Sequence, residues 1–314
     1  MGVLVPAGAE ISSADDLGAW CEAHAAPWVV KAEGSWGGSG VAVAATVQDA
    51  MDAYRELSSP LPVHKAVRFR LVDRDPFALA RFFHRKKRKV MAQEHVRGRQ
   101  VTCMVAAWQG RRLASLNAEV MSTQGHVGAS TVLRLIDNPM MDQVATVTAE
   151  HLGLSGFFGL DFIIEDTTGR CFLIEMNPRA TQLGHIRSHG ADLVTRLYEA
   201  ASNELGPLQP LPDHGPVIAL FPQALRFLDK DVALDQVPID VPWGEPDLVE
   251  ELLRLPWTKR GIVARLEASV RRNAAFGSAI EPRRIEEIRA ELRRHQAWPN
   301  DLRSGFTEAE APFS

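Results

Sequence analysis

The stretch that most constrains the fold is residues 156–179, "GFFGLDFIIEDTTGRCFLIEMNPR". Two apolar runs are separated by the turn sequence "DTTG", and this pattern predicts a β-hairpin. A type I turn closed by a left-handed glycine would give a three-residue loop at 167–169. In that register Asp161 lies directly opposite Glu175. The hairpin therefore places two carboxylates side by side on apolar strands.

Opposed like charges destabilise a sheet, so this carboxylate pair predicts a bound cation. Asn177 follows Glu175 by two residues and shares its face of the strand. Two carboxylates and an amide oxygen form an all-oxygen set that suits Mg²⁺ or Mn²⁺. Magnesium prefers one or two carboxylates plus phosphate oxygens, so a Mg-nucleotide is the implied ligand. The alternative is an exposed hairpin face whose acids are neutralised by Arg170 or Arg179.

A glycine-rich segment near the N-terminus indicates a phosphate ligand independently. In "WVVKAEGSWGGSGVAVAAT" (28–46), Lys31 ends a β-branched run and a second apolar run follows the glycines, which predicts a hairpin. Glycines let backbone N–H groups approach phosphate oxygens. The segment is not a Walker A loop, whose lysine follows the glycines, and no helix follows as in a GxGxxG motif. We interpret it as a lid over phosphates; the alternative is a flexible loop with a solvated lysine. The glycines are Gly34, Gly37, Gly38 and Gly40.

The remaining pattern alternates helices and strands up to residue 204. It predicts helices at 13–24, 46–59, 139–153 and 190–203, and strands at 90–96, 100–108 and 112–121. Proline and glycine mark 205–216 as a linker. Residues 217–314 read as mostly helical with a frayed tail, and an apolar face formed by Ile285, Ile288 and Leu292 needs a partner surface.

Composition excludes several classes of protein. The net charge is −4 over 314 residues, so no global basic field favours nucleic acid or an anionic membrane. The basic run at 85–89 is interpreted as a solvated surface beside the lid. Cys21, Cys103 and Cys171 are far apart in sequence, which argues against a zinc or disulfide framework. No apolar run reaches membrane length and no signal peptide is visible, so a cytoplasmic protein is expected.

Four motifs in order resemble the ATP-grasp superfamily, closest to carbamoyl-phosphate synthetase and biotin carboxylase-like members. They are "PWVVKAEGSWGGSGV", "VMAQEHVRGRQVT", "GFFGLDFII" and "CFLIEMNPR". The resemblance covers about residues 1–204 and implies an α+β, ATP-grasp fold in which two subdomains clamp ATP. The implied lid subdomain is 1–97 and the metal-binding core is 98–204, followed by the linker at 205–216 and a mostly helical region at 217–314.

The resemblance also implies roles for individual residues. Lys31 and the lid glycines would contact phosphate, and residues 122–131 resemble the flexible loop that closes over the nucleotide. The hinge strand would bind adenine and ribose through Gln93, Glu94, the Val96 backbone and Gln100, where typical members have an acid at the Gln100 position. Metal would be held by Asp161, Glu175 and Asn177, and Arg179 would hold the transferred phosphoryl group.

The implied activity is an ATP- and Mg²⁺-dependent ligase that activates a small-molecule carboxylate as an acyl-phosphate for attack by an amine or another nucleophile. The alternatives are a non-catalytic ATP-binding module or incomplete subunit, and a small-molecule kinase. Family members carry an α/β domain upstream of the lid, but residues 1–30 contain neither lysine nor arginine. Family members usually have a further basic ATP contact in that upstream region. We therefore expect the domain and this contact to be absent here, because the chain is truncated, because its start is wrongly assigned, or because a homodimer or a separate subunit supplies the domain.

Overall fold

The structure is a computed structural model that contains two antiparallel sheets, each covered by helices. It describes residues 2–33, 40–59, 88–124, 128–186, 192–204, 214–226, 237–254, 280 and 282–297. Across these residues no helix is both long and apolar enough to cross a membrane.

The first sheet has four strands in the order β1-β4-β2-β3. The strands are β1 (Gly8–Ile11), β2 (Trp28–Ala32), β3 (Val41–Ala44) and β4 (Val90–Glu94), and the helices are α1 (Ala14–Ala23) and α2 (Val47–Ser58). Capping boxes at Ser13 and Thr46 begin the two helices. Alternate residues of β2 are buried against the helices. This period of two leaves Lys31 on the opposite face of the sheet.

The second sheet has six strands in the order β10-β7-β6-β5-β8-β9. The strands are β5 (Gly98–Trp108), β6 (Arg111–Thr123), β7 (Ser130–Ile136), β8 (Gly156–Glu165), β9 (Cys171–Asn177) and β10 (His214–Ala219). Helix α3 (Pro139–Leu152) packs on one face, and α4 (Leu193–Ser202) packs on the other face. Asn138 caps the start of α3, and Gly153 ends it in the left-handed conformation at φ 60°.

The C-terminal part packs against β7 and β10. Its helices are α5 (Gln223–Arg226), α6 (Pro246–Leu253) and α7 (Pro282–Ala297). Ile288 and Leu292 of α7 are buried, and Ile285 packs against the same cluster. The apolar face of this helix is therefore covered within the chain and does not need a second subunit.

The predicted helices and strands are largely confirmed, and so is the α+β class. The structure differs from the sequence prediction in three places. Strand β1 was not foreseen; β7 begins at Ser130, inside the segment predicted to be a flexible loop; and β10 begins at His214, inside the predicted linker. Because β10 pairs with β7, the second sheet extends beyond residue 204. The division into subdomains at residue 97 stays a prediction.

Candidate functional site

A row of polar side chains crosses three adjacent strands of the second sheet. Thr102 on β5 pairs with Asp161 on β8, and Asp161 pairs with Glu175 on β9. The Thr102 hydroxyl donates a hydrogen bond of 2.8 Å to Oδ1 of Asp161. The predicted opposition of Asp161 and Glu175 is confirmed.

The hairpin reaches this register by a different route from the predicted one. Glu165, not Asp166, pairs with Arg170, because the Glu165 N–H donates to the Arg170 carbonyl at 2.9 Å. The three-residue loop is therefore wrong, and the connection is residues 166–169. A bulge at Ile174 then adds one residue to β9 and restores the pairing of Asp161 with Glu175.

Two segments from outside the second sheet bind the bulged edge of β9. The Leu173 N–H donates to the Leu4 carbonyl at 2.9 Å. The Lys31 ammonium, which comes from the first sheet, donates to the Ile174 carbonyl at 3.3 Å. The bulge therefore brings the predicted phosphate-binding lysine next to Glu175.

The electrostatics of the site favour a bound cation. Burial raises the pKa of Asp161, although hydrogen bonds from Thr102 and Asn177 partly offset this. Burial, followed by the charge of Asp161, also raises the pKa of Glu175, while Lys31 and Arg179 lower it. Burial lowers the pKa of Lys31. Each ionised group is thus incompletely compensated by its neighbours.

Asn177 and Arg179 lie beside the carboxylate pair. The Asn177 amide nitrogen donates to Oδ2 of Asp161 at 2.9 Å, and its oxygen accepts from the Arg179 guanidinium at 3.4 Å. The predicted role of Asn177 as a metal ligand therefore requires the amide to rotate by 180°, so that its oxygen faces Asp161. Arg179 is exposed, and its guanidinium also donates to the Ala180 carbonyl at 3.1 Å.

These side chains line a cavity of about 430 Å³. Asp161, Glu175, Asn177 and Arg179 lie on its walls, and Gln100 joins them from β5. Thr181 and Gln182, which follow Arg179 in the sequence as candidates for an acceptor pocket or for a structural role, also line the cavity. Two further lining residues, Thr102 and Gln223, were missed by the sequence reasoning. Thr102 could have been identified from the sequence, because it places a hydroxyl on an otherwise apolar strand. No feature of the sequence indicates a role for Gln223.

The other predicted nucleotide-binding residues lie elsewhere or outside the described part of the chain. Gln93 and Glu94 are on β4, paired with Val29 and Trp28, and they are not among the described residues that line the cavity. Val96 follows that strand and is half-buried. Three lid glycines, Gly34, Gly37 and Gly38, fall outside the described residues. The Gly40 carbonyl accepts from the Ala32 N–H at 2.8 Å, which closes the base of the lid hairpin.

The site offers two carboxylates rather than a complete metal cage. In the part of the chain that the structure describes, no three His, Cys, Asp or Glu side chains are grouped to hold a metal. A cation here would therefore need further oxygen ligands, as Mg²⁺ takes from phosphates. The donor set fits a metal–nucleotide better than a metal alone.

Several solved structures resemble the chain. The 2-oxoglutarate carboxylase biotin carboxylase domain of Hydrogenobacter thermophilus is 15% identical, with a TM-score of 0.48 over 69% of this chain and 46% of that chain. Carboxyaminoimidazole ribonucleotide synthase of Aspergillus clavatus is 14% identical, with a TM-score of 0.46 over 67% and 50%. L-amino acid ligase of Bacillus licheniformis is 19% identical, with a TM-score of 0.43 over 67% and 47%.

The chain spans about half the length of these proteins, and TM-scores below 0.5 carry no argument about its activity. No curated protein matches the chain. Residues 70–182 match the family model described as an ATP-grasp domain. That range contains Gln93, Asp161, Glu175, Asn177 and Arg179, while Lys31 lies outside it. This segment of the chain is therefore similar to an ATP-grasp domain, the family that its sequence motifs resemble.

Proposed function

We propose that this protein is an ATP- and Mg²⁺-dependent ligase that activates a carboxylate as an acyl-phosphate for attack by an amine or another nucleophile. The observation that carries the proposal is the row of Thr102, Asp161 and Glu175. Arg179 lines the same cavity as this row, and Lys31 binds the Ile174 carbonyl next to Glu175. Carboxylates for a metal and cations for phosphate therefore lie close together.

We propose the following roles for the residues around the nucleotide. Lys31 would bind phosphate oxygens from the first sheet, with the lid glycines covering them. Gln93, Glu94, the Val96 backbone and Gln100 would bind adenine and ribose. Asp161 and Glu175, with Asn177 after amide rotation, would hold Mg²⁺, which when bound neutralises phosphate charge.

Transfer would then depend mostly on positioning. An acceptor carboxylate attacks the γ-phosphate and ADP leaves, after which the nucleophile displaces phosphate from the acyl-phosphate. Arg179 would stabilise charge on the transferred phosphoryl group; its guanidinium lies beside Asn177 and lines the cavity, which supports this role. The acceptor must be held in line with the γ-phosphate, because misplacement of the reacting groups would slow the transfer.

Trapping with hydroxylamine tests this proposal. An acyl-phosphate reacts with hydroxylamine to give a hydroxamate, whereas a phosphoester product does not. We expect ADP and a hydroxamate with a suitable carboxylate, and loss of both in Glu175→Gln. ADP with a stable phosphoester would identify a small-molecule kinase. ATP binding without turnover on any acceptor would identify a non-catalytic module.

We also propose where the protein acts and which kinds of partner it has. The proposed ligands, ATP, Mg²⁺ and a carboxylate, are small soluble molecules, which fits a cytoplasmic enzyme without nucleic-acid or membrane partners. A homodimer or a separate subunit would contribute to the acceptor site. Light scattering with and without ATP, together with hydroxamate formation at low and high protein concentration, tests whether activity depends on association.

A further inference from the structure

The cavity has two chemically different halves. One half, on β8 and β9, holds the carboxylates and Arg179. The other half is formed by β6, β7, the 181–184 turn and α5; its described lining residues are Val120, Gly128, Ala129, Ser130, Leu133, Gln182, Leu183 and Gln223. Three strand spacings separate β8 from β7, which amounts to about 14 Å. The second half is therefore distinct from the proposed metal and phosphate site.

None of the described residues that line this second half is ionisable. Burying an unpaired charge is costly, and these described residues offer no opposite charge to compensate a charged group of a ligand. Val120, Leu133 and Leu183 provide apolar surface instead. The available hydrogen-bonding side chains are amides and a hydroxyl, which suit an uncharged polar group.

Two glutamines present these amides differently. The Gln182 amide nitrogen donates to the Ser130 carbonyl at 2.8 Å, and this bond fixes the side chain with its oxygen left to accept. Gln223 makes no side-chain hydrogen bond to any described residue, so both its donor and its acceptor are available. Gln223 also lies beyond residues 70–182, the range that matches the family model.

The element that carries Gln223 is held firmly against the rest of the cavity. The Leu220 N–H donates to the Thr131 carbonyl at 2.8 Å. The Asp240 carboxylate accepts from the Phe221 N–H and contacts His185 at 2.6 Å. Since His185 belongs to the chain segment that follows Gln182, the two glutamines are positioned by one connected set of bonds.

We propose that this second half of the cavity binds the acceptor molecule through an uncharged hydrogen-bonding group, and that Gln182 and Gln223 determine this specificity. The inference rests on the proposed ligase function and names the class of acceptor: a small carboxylate whose far end carries an amide or hydroxyl group. A hydrogen bond lost on an uncharged group is worth about fivefold to tenfold in affinity.

Three matched probes test the inference: L-glutamine, L-glutamate and L-lysine, titrated calorimetrically into the full chain saturated with Mg²⁺ and a non-hydrolysable ATP analogue. We expect glutamine to bind at least tenfold more tightly than either charged probe. Gln223→Ala should weaken glutamine binding about fivefold to tenfold, and Gln223→Glu should shift the preference towards lysine. Gln143→Glu, an exposed change on α3, is the charge-matched control and should leave the preference unchanged.

Equal binding of the three probes, no binding of glutamine, or the same effect from Gln143→Glu would overturn the inference. Titration of ATP with and without Mg²⁺, in the same protein samples, tests the ligase proposal separately. Metal-dependent ATP binding combined with selection for a charged probe would reject only the acceptor class.

Discussion

Replacing Glu175 by glutamine should stabilise the free protein while weakening its binding of Mg-ATP. Glu175 and Asp161 are directly paired on β9 and β8, and the charge of Asp161 contributes to the raised pKa of Glu175. Glutamine has nearly the same shape, so the substitution removes one charge with little change in packing. A residue with a purely structural role would not shift stability and affinity in opposite directions.

The size of the expected stabilisation follows from the distance between the paired side chains of Asp161 and Glu175. Directly opposed side chains bring their Cβ atoms to about 5 Å, where two unit charges at an effective dielectric constant near 20 repel by about 3 kcal/mol. Lys31 and Arg179 attract Glu175 and offset most of this, and solvent screens the exposed carboxylate further. A net gain of about 0.5–1 kcal/mol remains, which corresponds to a rise of roughly 1–4 °C in Tm.

Differential scanning calorimetry at neutral pH and low salt measures the effect, with Glu150→Gln on the exposed surface of α3 as control. Because the folded-state pKa values of Asp161 and Glu175 are raised, the repulsion is present above those values and is lost as pH falls through them. The advantage of the variant should therefore shrink in acid. A lower Tm than wild type at neutral pH, or unchanged Mg-ATP affinity, would refute the reasoning.

Three further predictions use other parts of the site. Lys31→Ala should weaken ATP binding by about 1–3 kcal/mol and hardly change adenosine binding, measured by calorimetry; an equal loss for adenosine would contradict a phosphate contact. Gly159→Ala should cost about 1–3 kcal/mol in chemical denaturation, because the added Cβ would lie 2.3 Å from Thr181 Cγ2; no loss would show that the turn yields freely. The hydrogen bond to Asp240 raises the pKa of His185, so its stabilising effect is complete below the unfolded-state pKa and is lost as pH rises through the folded value. His185→Gln should therefore reduce Tm more at pH 5 than at pH 9, and an equal reduction would exclude the charged pair.

The hairpin shows how far the sequence alone could predict the site. Alternation within the two strands and the turn composition led to the prediction that Asp161 opposes Glu175, which the structure bears out. They were not sufficient to predict the turn length or the bulge at Ile174, and these two errors cancelled. The bulged segment is bound by Leu4 and Lys31, which are more than 140 residues away in sequence. Local sequence propensity therefore could not predict the bulge.

The two strands that the sequence analysis missed, β1 and β10, were missed for a different reason. β1 is only four residues long, and β10 lies in a segment rich in proline and glycine, so neither has the length or composition of a typical strand. Both strands exist because a longer strand offers them an edge: β4 pairs with β1, and β7 pairs with β10. Gln223 reaches the cavity only through this tertiary pairing, which is why no motif identified it.

If the proposed function is correct, the position of Lys31 predicts that metal and nucleotide bind cooperatively. Its ammonium is half-buried, its hydrogen bond among the described residues goes to the Ile174 carbonyl, and its nearest opposite charge is Glu175. Lys31 cannot fully compensate Glu175 and bind a phosphate at the same time. A cation held by Asp161 and Glu175 would neutralise the carboxylates and release Lys31 for the phosphates, while the phosphates would supply the oxygens that the two-carboxylate site lacks. Each ligand thus removes an electrostatic cost of binding the other, and linkage requires the two affinities to rise by the same factor.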